Sequence, residues 1–239
     1  MHSVAVNVAA NTNEPGVRGP LAPDGSFEYV PIPESEPTSA PVPTYADLDL
    51  DTDVPAEYRD TPVHLDPEFS EYPHCERYTY GDEHGVKAAP LSELRAGEYV
   101  FFYATLSTAE DRPSWAAPGW GAFLIGHFRL ARDALTGAEY AALSADERAP
   151  FANNAHVKRE TTDARVFLLG DRDASALYDV AVPLSAREAG SDPNRLVTDL
   201  SADSGKGPWW RRPLRFSADA TERLLALRES GDYDACFRS

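Results

Sequence analysis

Apolar residues along this chain gather into a few short runs, and their spacing announces strands more clearly than helices. Val4, Val6 and Val8 alternate with smaller or polar neighbours, the period of a first strand. Residues 98–104 (EYVFFYA) and 122–130 (AFLIGHFRL) are dense in aromatic and branched side chains and bounded by turn residues, so both predict strands. Residues 164–170 predict another, and residues 27–30 a short one that Pro31-Ile32-Pro33 interrupts, because proline gives no ladder donor. Helical signals are shorter. They fall at 91–95 before Gly97, at 138–143, and after Ser144 with Glu147 completing a capping box. Further pieces are expected from Ser185 with Glu188 and over 193–200. A closing helix at 218–228 has Ser217 as N-cap and Gly231 beyond it. The pattern predicts an α+β protein on a curved mixed sheet.

The polar stretches sharpen this picture. Residues 18–34 hold four prolines and two glycines, and Pro23-Asp24-Gly25 is turn chemistry. The segment reads as a stiff edge that fixes Arg18, Asp24 and Glu34 in place. Residues 34–60 are rich in Pro, Asp and Thr and read as a solvated loop. The alternating carboxylates from Asp47 to Asp53 lack the glycine and terminal glutamate of a calcium loop. No internal repeat is present, so residues 1–239 are expected to form one domain with that long N-terminal excursion.

Composition then narrows the setting. No apolar run nears the roughly 20 residues of a membrane span, and the first residues lack the basic flank of a signal peptide. A cytoplasmic protein is the expectation. Thirty-nine acidic residues oppose 22 basic ones, for a net charge of −17, and Lys87, Lys158 and Lys206 are the only lysines. A dense acidic surface keeps a protein hydrated in concentrated salt, which suggests a halophilic source; a cationic partner is the other explanation. Cys75 and Cys236 are too few for a disulfide framework and are expected to be free thiols.

Three constellations carry candidate chemistry. His64-Leu65-Asp66-Pro67, with Glu68, Glu71, His74, Cys75 and His84 following, has the imidazoles and carboxylates for proton exchange. Its spacings match no compact zinc pattern, and neither a metal nor a cofactor is expected. The plainer role is a turn cap at Asp66 and a local hydrogen bond at His64. The second block, 151–160, joins Asn153 and Asn154 to His156, Lys158 and Arg159. Amides read base edges through paired donors and acceptors; alternatively one asparagine ends the preceding helix in a left-handed cap and the cations face solvent. The third, 207–215, sets Trp209 and Trp210 beside arginines. With Trp115 and Trp120 these can stack on bases, or simply fill the core. There is no GxGxxG, P-loop, HExxH or GxSxG motif.

In their order these blocks resemble the third of the nucleotide modification associated domain families. The likeness runs from residues 19–25 through Pro31-Ile32-Pro33, then His64-Leu65-Asp66-Pro67-Glu68 and the strands at 99–103 and 123–130. It continues through Asn153-Asn154 with His156 and ends at Trp209–Pro213. The segment from Asn7 to Asn13 departs from the basic, serine-containing start expected of that family. The central strands are also similar to those of PUA-like barrels (ASCH and EVE domains), so the fold expectation includes a barrel. The resemblance implies binding or processing of a modified nucleotide or nucleobase, free or in nucleic acid, and no membrane role. His64, Asp66 and His156 are the expected catalytic residues. Asp24 and Asn153 are expected to bind the substrate, Asn154 and His156 to read the base edge, Trp120 or Trp210 to stack on it, and Arg18 and Lys158 to meet phosphate. The alternatives are a base- or nucleotide-modifying enzyme using His/Asp acid–base chemistry, and a non-catalytic scaffold.

Overall fold

The computed structural model describes residues 1–237. In chain order the strands are β1 (Ser3–Asn7), β2 (Pro20–Leu21), β3 (Ile32–Pro33), β4 (Val63–His64) and β5 (Thr79–Asp82). After helix α1 (Gly85–Leu91) come β6 (Tyr99–Thr108), β7 (Gly119–Arg129) and β8 (Leu135–Thr136). Three short helices follow: α2 (Gly137–Ala142), α3 (Ala145–Arg148) and α4 (Ala155–Lys158). The chain ends with β9 (Val166–Leu169), β10 (Ala176–Pro183), α5 (Arg195–Thr198), β11 (Leu214–Phe216) and α6 (Ala218–Ser230).

The main sheet has the order β10-β7-β6-β1-β11, with β2 added beside the end of β6. It is mixed, since β1 and β2 run parallel to β6 while the other pairs are antiparallel. Its ends stay open. Among the described residues no closed barrel forms, so the sheet expected from the sequence is present and the barrel form of it is not.

Why β6 and β7 read as unbroken apolar runs follows from their burial on both faces. Val4, Val6, Val100, Phe102 and Phe128 point into one core, where Phe69, Tyr80 and Leu91 meet them. Ala5, Phe101, Tyr103 and Leu124 point into the other, with Trp209, Leu214 and Leu224. Helix α6 covers that second face. Ser217 caps it by accepting from Ala220 N, Gly231 ends it at φ 64°, and its inner side buries Ala220, Leu224 and Leu227. No helix among the described residues is long and apolar enough to cross a membrane.

Several sequence expectations are corrected here. The helix expected at 91–95 lies earlier, as α1, and Gly97 at φ 82° instead turns the chain into β6. No helix starts at Ser185; its Oγ accepts from Ala122 N and donates to Gly190 O, so it ties a loop to β7. Residues 27–30 make one bridge, Leu21 to Phe27, and otherwise no strand. The stretch 34–60 is only partly a solvated loop, because Tyr45, Leu48 and Val54 are anchored in the core. The Pro-Ile-Pro segment that should interrupt pairing supplies β3, a two-residue pairing against β4.

Candidate functional site

Two minor sheets place the chemistry. The β3–β4 pair sets Ile32 opposite His64. Glu34, just beyond β3, thereby reaches the imidazole: its Oε2 lies 2.7 Å from His64 Nδ1. Past His64 the chain tightens, with Asp66 N donating to His64 O, and delivers the Asp66 carboxylate to β5. Gly81 N donates to both its oxygens at 3.0 and 3.1 Å.

Asn154 closes the arrangement. It is fully buried, and its Nδ2 donates to Asp66 Oδ1 at 2.7 Å. Its Oδ1 accepts from His156 N, making it the N-cap of α4 rather than the left-handed end of the helix before. Helix α4 then presents the His156 ring to β5 at Gly81. A Cβ on Gly81 would lie 2.6 Å from His156 Cδ2, so the imidazole needs the glycine there.

The two imidazoles stand edge to face with centroids 4.8 Å apart. His156 Nδ1 is 2.7 Å from Asp163 Oδ1, and its Nε2 is 3.7 Å from Asp66 Oδ2. Arg159 lies behind both rings. Its Nε and Nη2 donate to Glu34 Oε1 at 3.0 and 2.8 Å, while Nη1 donates to Glu83 Oε2 and Asp163 Oδ2, each at 2.5 Å. One guanidinium thus fixes both carboxylates that orient the histidines, the fork geometry that suits arginine to this task.

The electrostatics follow from burial and pairing. Burial works against the charge of Glu34, but His64 and Arg159 outweigh it and hold the carboxyl at about 2. Asp163 is likewise opposed by burial and held at about 2 by His156, Glu83 and Arg159. Burial, helped by His64, pulls His156 down to about 4, so its imidazole is neutral near pH 7. A neutral ring donating Nδ1–H to Asp163 keeps a lone pair on Nε2. Asp66 is pushed well above the usual carboxylate range, chiefly by burial, against the bonds from Gly81 and Asn154.

His64, Asp66, His156 and Arg159 line a cavity of about 490 Å³. Asn7 at the end of β1 and Asn11 and Asn13 in the chain that follows line it too, together with Ile32, Tyr80, Asp82, Glu83 and Lys87. The other expected residues lie elsewhere. Asn153 donates to Glu68 and His74 O, and Lys158 donates to Asn153 Oδ1, beside the cavity wall but not on it. Arg18 lies over the Trp120 ring at 4.9 Å and Trp120 meets Trp210 at 5.2 Å, near the far end of β6. Asp24 caps its own turn through Ser26 and faces a different hollow, beside Trp115 and Tyr178. The sequence thus brings three of its candidates to one hollow, with Asn154 as their support, and scatters the rest. The sequence marks the segments that carry Glu34 and Arg159 but not their pairing, which spans 125 residues, and it gives no sign of Glu83 or of Asp163, which lies only four residues from Arg159.

An open mixed sheet with a histidine–carboxylate cluster beside a small-molecule-sized hollow defines an α+β domain with a buried polar site. The chain belongs to the family described as nucleotide modification associated domain 3, whose model matches residues 2–226. No curated protein and no solved structure matches it. Family membership associates the domain with nucleotide modification systems.

Proposed function

We propose that this domain binds and processes a modified nucleobase or nucleoside in the cavity lined by His64, Asp66 and His156. The observation that carries the reading is the convergence of two oriented imidazoles and one buried carboxyl on a single hollow. Its volume lies within the range of about 300–1,000 Å³ typical of small-ligand sites.

Charge favours the base over the phosphate in this cavity. Glu14, Asp82 and Glu83 line the cavity, and the two cations there are already engaged. Lys87 donates to Asn7 O and sits 3.8 Å from Asp82, while Arg159 is held by three carboxylates. A phosphate would meet repulsion, whereas an uncharged base finds the amides of Asn7, Asn11 and Asn13 and the Tyr80 ring. His156, neutral at Nε2, serves as the proton acceptor, and His64 or the Asp66 carboxyl returns a proton to the opposite atom.

The Arg18–Trp120–Trp210 group supports a second contact. An arginine over an aromatic ring is suited to a single strand whose modified base has been turned into the cavity. The test is incubation with modified nucleosides and short modified oligonucleotides, followed by mass spectrometry of the products. Turnover lost in His64→Ala, with ligand affinity changed only a few-fold, supports the reading. Absence of both binding and turnover across free and polymeric substrates overturns it.

A further inference from the structure

We infer that His64, Asp66 and His156 form a binding site for one divalent first-row transition metal ion. One donor atom from each residue lies within 4.8 Å of the others, and all three residues are buried. Tetrahedral ligands at the usual metal distances sit about 3.3 Å apart, so small side-chain rotations close the site.

The donor atoms are fixed by their neighbours. Both Nδ1 atoms are taken, His64 by Glu34 and His156 by Asp163, each at 2.7 Å. That leaves Nε2 on each ring. Histidine ligands commonly give their second ring N–H to a carboxylate, which sets tautomer and direction, and here both do. Asp66 Oδ1 is occupied by Asn154 Nδ2, while Oδ2 is the oxygen 3.7 Å from His156 Nε2. Gly81 N anchors the same carboxylate. Three neutral or anionic donors are therefore aimed at one point, each held by a partner of its own.

A second group, Glu83, His156 and Asp163, has donor atoms equally near one another. It is not a rival, because Arg159 Nη1 already lies 2.5 Å from both its carboxylates and fills the position with a fixed positive charge. Two imidazoles and one carboxylate suit zinc, iron(II), cobalt or manganese rather than calcium or magnesium. Three protein donors facing a cavity leave coordination positions for water or ligand, the pattern of a reactive rather than a structural site. Bound there, the ion would occupy the Nε2 lone pair that accepts a proton in the metal-free site, and a metal-bound water of lowered pKa would take over as the base, or the ion would polarise a substrate oxygen.

The test is titration of chelator-treated protein with Co²⁺ and with Zn²⁺ alone, with bound metal counted by atomic emission. Because no nucleotide is present, the result is independent of the nucleoside reading. One equivalent is expected in wild type, with about 100-fold weaker binding in His64→Gln, His156→Gln and Asp66→Asn. His74→Gln, on an exposed histidine, should bind as wild type. Should the site variants fail to fold, imidazole NMR of the wild type with Zn²⁺ decides: shifts at His64 and His156 alone uphold the site. No saturable binding, unaltered binding in folded site variants, or shifts only at other histidines overturn it.

Discussion

His64 and His156 meet edge to face, with ring planes 86° apart and each Nδ1 turned to a different carboxylate. The relationship depends on neither residue's own strand or helix alone. Glu34 comes from the end of the β3 pairing, Asp163 from the loop before β9, and Arg159 joins them. Removing one support should therefore disturb both rings.

Gly81 is the sharpest local constraint. Gly81→Ala forces a carbon to within 2.6 Å of His156 Cδ2 and 3.3 Å of Ala164 Cβ. Overpacking of this kind costs about 1–3 kcal/mol, and the displaced ring should lose ligand and metal affinity together. Gly85→Ala, where the nearest atom is the flexible Arg165 Nη1 at 3.3 Å, should cost less than about 1 kcal/mol. Urea unfolding and ligand titration of the two variants make the comparison.

Asn154 has two separable tasks, capping α4 and holding Asp66. Asn154→Ser keeps a capping oxygen but loses the amide donor, whereas Asn154→Ala loses both. The alanine variant should be less stable than the serine variant by about 1 kcal/mol. Both should bind ligand poorly, because Asp66 loses its 2.7 Å partner in each. Thermal melts beside binding isotherms separate cap from site.

Arg159→Met leaves Glu34, Glu83 and Asp163 without their shared cation. Breaking a buried ion pair costs about 3–5 kcal/mol. The low end is expected here, since Glu83 and Asp163 are each about one-third exposed. Chemical denaturation measures it, and a loss below about 1 kcal/mol would show that the carboxylates find other partners.

His127 supplies a pH signature away from the cavity. Burial, with Arg228 adding to it, pulls its pKa from 6.5 to about 4. Its ring nitrogens face Tyr178 OH and Ala174 O. The unfolded chain takes up the proton first, so this contribution is complete above about pH 6.5 and is lost as pH falls toward 4. Over that window the loss approaches about 3 kcal/mol. His127→Gln should flatten the stability profile between these pH values relative to wild type, as followed by denaturant unfolding.

Legibility in the sequence tracked the physics of each element. β6 and β7 show as apolar runs because both their faces are buried, and α6 shows through Ser217 and Gly231. β3 and β4 are two residues each and carry no period to read. His64 and Asp66 stand out as near neighbours, and His156 by its asparagines. Glu34 does not, because a glutamate among prolines looks the same in solvent as it does 2.8 Å from Arg159, 125 residues away. Arg18, Trp120 and Trp210 are conspicuous by residue type, yet only the pairing of β2 and β7 with the end of β6 places them apart from the cavity.

The most direct measurement of the central claim is imidazole NMR during titration with a modified nucleoside. Six histidines report at once, and only His64, His84 and His156 line the cavity. Saturable shifts at His64 and His156, with His2, His74 and His127 unmoved, are the predicted result. A nucleoside that binds while the His64 and His156 signals stay in place would contradict it.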